Sequence, residues 1–79
     1  MKIKLYGIRQ IIINTDYIRL DALLKLSAFV SSGGEAKVLI RNGDVIVRGI
    51  TCLQRGKKIR DGDVVKITGG DIIVVKKAE

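Results

Sequence analysis

The sequence predicts an α+β domain in which an αα-hairpin packs on a small, mostly antiparallel β-sheet. Three observations carry that expectation. Ile, Val and Leu dominate a hydrophobic fraction of 47%, and a β-branched excess suits the pleated surface of strands. Between Ile18 and Phe29 the apolar residues change to helical spacing, with neither Gly nor Pro. After Gly43, short Gly-containing turns divide the chain into strand-sized pieces. The 79 residues make one domain, 1–79. A chain this short buries only about two-thirds of its unfolded surface, so its core is thin.

Lys2-Ile3-Lys4-Leu5-Tyr6 alternates polar and apolar, as a half-buried strand does. Gly7 breaks it, Arg9 to Asn14 is a second short extended piece, and Asn14-Thr15-Asp16 is a turn or cap cluster. In the first helix, Ile18 to Phe29, Leu20, Leu23, Leu24 and Ser27-Ala28 form the buried stripe. Asp21 falls in the first turn, where the helix dipole favours a negative charge. Ser32-Gly33-Gly34-Glu35 matches the S-x-x-E capping box: Ser32 accepts from the Glu35 amide and Glu35 reaches back to the Ser32 amide. Ala36, Leu39 and Ile40 are the buried positions of a short second helix, ended by Asn42-Gly43. Val45 and Val47 alternate with Ile46 and Arg48, Gly49-Ile50 turns the chain, and Thr51 to Gln54 returns antiparallel. Arg55-Gly56-Lys57-Lys58 is a basic loop, Ile59 an isolated anchor and Arg60 to Asp63 a turn. Val64 to Thr68, Gly69-Gly70 and Asp71 to Val75 form a hairpin, followed by a polar tail, Lys76 to Glu79.

The formal net charge is +7, from 15 basic and 8 acidic residues. That field calls for a polyanionic partner, whether RNA, DNA or an anionic membrane; the plainer account is excess Lys for solubility. No run approaches the roughly 18 apolar residues of a membrane span, and the start lacks the features of a secretory signal. The sole cysteine, Cys52, permits no internal disulfide and suits a reducing compartment, so the expected location is cytoplasmic. Catalysis finds little footing. With no His, no Ser has the usual base, one Cys cannot build a zinc site, and no G-K-[ST] follows the Gly-rich pieces. Neither a metal, a cofactor nor a small-molecule substrate is expected.

Gly33 and Gly34 open the second helix, where outward N–H groups and the dipole receive a phosphate and a missing side chain lets it come close. The same pair also suits a tight turn or close packing between the helices. Lys37 and Arg41 are four apart on one helix face. With Arg48 and Arg19 they border one surface able to follow a phosphate backbone, or else they are an ordinary solvated face. Arg55, Lys57, Lys58 and Arg60 form the densest basic run, either a second phosphate contact or a mobile, solubilising loop. Asn42 is a helix cap first and a ligand second. One Tyr beside the first helix, Tyr17, does not make a base-stacking platform of the single-strand kind, so folded RNA recognised by shape and phosphate is the favoured partner.

Arg19-Leu20-Asp21, Leu23-Leu24-Lys25, Ser31 to Lys37 and Ile40 to Gly49 form an ordered set of motifs. In these the chain resembles the RNA-binding domain named for ribosomal small-subunit protein four, and most closely its short stand-alone YaaA/YbcJ-like bacterial type. The resemblance covers roughly Tyr17 to Ile67. It implies the αα-hairpin of the alpha-L RNA-binding motif on a small sheet, with RNA meeting the second helix and the adjoining loop. Two places depart from the family pattern: Arg48, where Asn is usual, and Gly33-Gly34, where many relatives carry an Arg. The expected role is therefore a non-catalytic protein binding structured RNA, ribosomal RNA or tRNA, and with it the ribosome. The contact set is Arg19, Ser32, Gly33, Gly34, Lys37, Arg41, Asn42, Arg48 and Gly49, with Arg55, Lys57 and Lys58 secondary. The rival is a protein-interaction module using an open sheet edge and the basic surface.

Overall fold

Val45 and Val47, Val65 and Ile67, and Ile73 and Val75 alternate with more exposed neighbours, and all six are buried on one face of a sheet. The computed structural model describes residues 7–79; the Lys2 to Tyr6 strand expected from the sequence lies outside the described residues. The elements in order are β1 (Ile8–Ile13), β2 (Ile18–Arg19), α1 (Leu20–Leu26), α2 (Gly33–Arg41), β3 (Val45–Val47), β4 (Ile50–Thr51), β5 (Lys58–Ile59), β6 (Val64–Ile67) and β7 (Ile72–Lys77). Two helices and a small mixed sheet make this an α+β fold. Five strands run in the order β1-β7-β6-β3-β4, and β2 with β5 forms a separate two-stranded ribbon. Every described pairing is antiparallel except β1 with β7, which is parallel from Ile8↔Ile72 to Ile13↔Lys77. Leu20, Leu23 and Leu24 of α1, with Ala36 and Ile40 of α2, close the core over the sheet, and Ile59 joins it from β5.

The first helix is shorter than the spacing predicts. Ile18 and Arg19 are not helical, because their backbone pairs with Ile59 and Lys58. At the other end Ser27 caps α1 and Ala28 turns left-handed at φ 64°. Phe29 N–H then donates to Leu24 O and Ala28 N–H to Lys25 O, the paired bonds of a Schellman ending. The second helix ends the same way, with Gly43 at φ 82°, Asp44 N–H on Leu39 O and Gly43 N–H on Ile40 O. A left-handed residue is ordinary for Gly43 and strained for Ala28, whose Cβ crowds the backbone there.

Three smaller differences have local causes. Glu35 reaches Ser31, through both its N–H and its hydroxyl, rather than the Ser32 amide, while Ser32 Oγ accepts from Glu35 N–H at 3.2 Å as expected. The turn after β3 is Arg48-Gly49, not Gly49-Ile50. Both turn residues have positive φ, 50° and 82°, and Val47 pairs with Ile50, which is the two-residue turn matching strand twist. Lys76 and Lys77 are no tail: they extend β7 because Ile12 and Ile13 of β1 pair with them.

Candidate nucleic-acid interface

Ala36 and Ile40 are buried beneath α2, which leaves Lys37 and Arg41, one helical turn apart, on its exposed side. Facing them is the loop from Cys52 to Lys57, fixed by its backbone. Leu20 N–H donates to Lys57 O at 2.9 Å, Asp21 N–H to Arg55 O at 3.1 Å, and Lys57 N–H to Gln54 O at 3.2 Å. The first amides of a helix have no partner within the helix, so α1 takes loop carbonyls as its cap. With those carbonyls turned inward, the Arg55 side chain is left on the surface.

Between α2 and this loop runs a shallow groove lined by Arg19, Lys37, Ile40, Arg41, Leu53, Arg55 and Gly56. Four of these carry positive charge and none is acidic. Arg19, itself exposed, bridges to the largely covered carboxylate of Asp21 at 3.2 Å. It also lies over Gly56, where a Cβ would stand 3.7 Å from the guanidinium. Leu53 keeps 64% of its surface exposed in the middle of this charge.

The remaining predicted residues are spread around that groove. Arg48 borders a neighbouring hollow with Lys57, Gln54 and Leu53, so Leu53 is common to both while Arg48 does not join Lys37 and Arg41. Its tight turn fixes the backbone, and Asp63 Oδ1 sits 3.6 Å from its Nε. Gly49 serves the turn. Ser32 is occupied as the cap of α2. Gly33 and Gly34 are exposed. A Cβ on Gly33 would meet nothing within 4 Å and one on Gly34 only Ser32 Oγ at 3.7 Å, so close helix packing is not why glycine stands there. Gly33 borders a hollow between the helices with Arg19, Asp21, Ala22, Lys25 and Leu26. Asn42 caps α2 and lines a depression with Phe29, Val38 and Leu39, apart from the cationic groove. Lys58 belongs to β5 and lies opposite Arg19.

Leu53, Gln54 and Lys25 were missing from the predicted set. The sequence places Leu53 in a returning strand from Thr51 to Gln54, whereas β4 ends at Thr51 and leaves Leu53 exposed in the loop. Among the described residues no group of three or more His, Cys, Asp or Glu could hold a metal ion, and no helix is long and apolar enough to cross a membrane.

Comparison with known proteins bears on the whole unit. The family model described as S4 domain matches residues 11–75. A probable ribosome maturation protein, RlbA of Bacillus subtilis (strain 168), is 41% identical over 57 residues, which cover 72% of this chain and 80% of that protein.

Proposed function

Since the chain belongs to the S4 domain family, we propose that it is a non-catalytic cytoplasmic protein that binds structured RNA through the cationic groove between α2 and the loop from Cys52 to Lys57. The helix pair is read as the alpha-L element of that family. The observation that carries the proposal is the grouping of Arg19, Lys37, Arg41 and Arg55 around one groove with no acid among its lining residues. Such a surface follows a phosphate backbone by charge and shape. Gly33 and Gly34, exposed at the start of α2, fit a further phosphate beside the groove. Similarity to the probable ribosome maturation protein of Bacillus subtilis supports ribosomal RNA as the target, and a place in ribosome maturation; tRNA is the second candidate. Strand addition by a protein partner remains the rival, and salt separates them.

Binding to a ribosomal RNA stem-loop, measured by filter retention from about 50 to 200 mM salt, is expected to weaken linearly on a log–log plot, as release of several counterions requires. The doubly reversed Lys37→Glu, Arg41→Glu protein is expected to melt like the parent and to lose binding. A folded double variant that binds as well as the parent would remove α2 from the interface, and no binding at the lowest salt would end the RNA reading.

A further inference from the structure

The ribbon of β2 and β5 carries a second cluster that the groove does not use. Ile18 pairs with Ile59 and Arg19 with Lys58. Partners across an antiparallel ladder share a face. Ile59 is fully buried and Ile18 half-buried toward the core, so Arg19 and Lys58 stand on the outer side. One position beyond the ladder, on that same side, come Tyr17 and Arg60. Lys58 Nζ lies 4.8 Å and the Arg60 guanidinium 5.7 Å from the centre of the Tyr17 ring. Phe29 offers a contrast: Arg9 covers its ring as well, at 4.4 Å, but Phe29 packs against the core. Tyr17 belongs to no apolar cluster and keeps 40% of its surface exposed.

The nearby acids are held mainly by other partners, although the charge of Arg60 also acts on Asp16, and Asp61, next to Arg60 in the chain, accepts from the Lys77 amide at 2.7 Å. Asp16 is engaged by Lys77 at 2.8 Å, and Asp63 receives the Arg60 amide at 2.8 Å while lying beside Arg48. Arg19 lines the groove and pairs with Lys58, so it joins the two clusters into one cationic track that ends at an accessible aromatic ring. We infer that this ribbon is a single-stranded RNA subsite, in which a base stacks on Tyr17 and the phosphates beside it are held by Lys58 and Arg60. A base face on an aromatic ring, with cations tracking the backbone, is how sequence-tolerant single-strand sites are built. A lone tyrosine does not make such a site; this one has two cations placed at it and a cationic path leading to it. The inference rests on the RNA reading of the α2 groove and extends it: the preferred ligand is a stem continued by an unpaired strand.

The chain has two tyrosines and no tryptophan, so in a Tyr6→Phe variant Tyr17 is the only tyrosine emitter. Two probes decide the matter: a blunt RNA stem, and the same stem with an oligouridine tail of about eight nucleotides, at about 50 mM salt. The tailed RNA is expected to quench Tyr17 emission and the blunt stem not to. Tyr17→Ala is expected to weaken binding of the tailed RNA about tenfold and leave the blunt stem unchanged, while Tyr17→Phe, which keeps the ring, binds both like the parent. Melting curves establish that each variant is folded. Equal binding of tailed RNA by parent and Tyr17→Ala, or a tail that does not quench, overturns the subsite and leaves the groove standing. Quenching by tailed RNA without any binding of the blunt stem would support the subsite and overturn the groove. If neither RNA binds, both fall.

Discussion

At the start of α1 the amides of Leu20 and Asp21 are taken by the carbonyls of Lys57 and Arg55; at the start of α2 the amides of Gly33 and Gly34 are exposed and meet no acceptor among the described residues. Both helix starts present the same backbone donors and the same positive end of a dipole. In α1 that end is consumed by holding a basic loop in place, and the loop's side chains then face α2. In α2 the corresponding end is left to solvent, next to the Lys37 and Arg41 face. One terminus builds the interface and the other stands ready to take part in it.

The contrast is broken most severely at the open terminus. Gly33 has helical backbone and empty space around it, so Gly33→Glu fits. Replacing glycine in a helix and adding a negative charge to its first turn are expected to raise stability by about 1 kcal/mol. The same charge is expected to lower RNA affinity about tenfold by repelling phosphate. Thermal melting and filter binding should therefore move in opposite directions, and a variant that is more stable with unchanged affinity would show that α2's start lies outside the interface. The helix ends give a smaller test. Both have the same hydrogen-bond pattern, but α1 uses Ala28 at φ 64° where α2 uses Gly43. Ala28→Gly is expected to stabilise by about 0.5–1 kcal/mol, raising Tm by about 3–6 °C, with RNA binding untouched. The smallest effect lies upstream of α1. Lys77, by its hydrogen bond and its charge, holds the Asp16 carboxyl below the usual carboxylate range, and Asp16 raises Lys77 by the same contact. Asp16's contribution is thus complete above about pH 4 and disappears as pH falls through its lowered folded value; Lys77's is lost only at strongly alkaline pH, through its raised one. Both side chains are open to water, so Asp16→Asn should differ only slightly from the parent at neutral pH in denaturant unfolding, and not at all in strong acid.

What the sequence disclosed follows the range of the interactions involved. From Ser32 to Gly43, α2 is specified by its own cap, stripe and glycine ending, and its limits agree with the spacing to within a residue. Lys37 and Arg41 were legible because their relation is a single helical turn. The start of α1 was not, since Ile18 and Arg19 look as apolar-periodic as their neighbours until Lys58 and Ile59 arrive to pair with them. Arg48 was misplaced because an arginine seldom adopts positive φ; the Gly49 that follows and the Val47–Ile50 pairing hold it there. The groove's far wall was hidden for a similar reason: nothing local says that Arg55 and Lys57 give their carbonyls to α1.

The parallel pairing of β1 with β7 has a consequence for how the molecule assembles. Gly7 N–H meets Asp71 Oδ1 across 64 positions of chain, and the ladder is complete only when Lys77 lies beside Ile13. Turns between neighbouring strands close quickly, whereas so distant a pairing is entropically costly to begin and comes late. During synthesis β1 leaves the ribosome before β7 and is expected to wait, its Ile8 and Ile12 exposed even in the finished fold, while the helices and the β3–β4 and β6–β7 turns form behind it. This seam is expected to be the last to close in folding, and the place where a crowded or slowed chain is most open to pairing with the wrong strand.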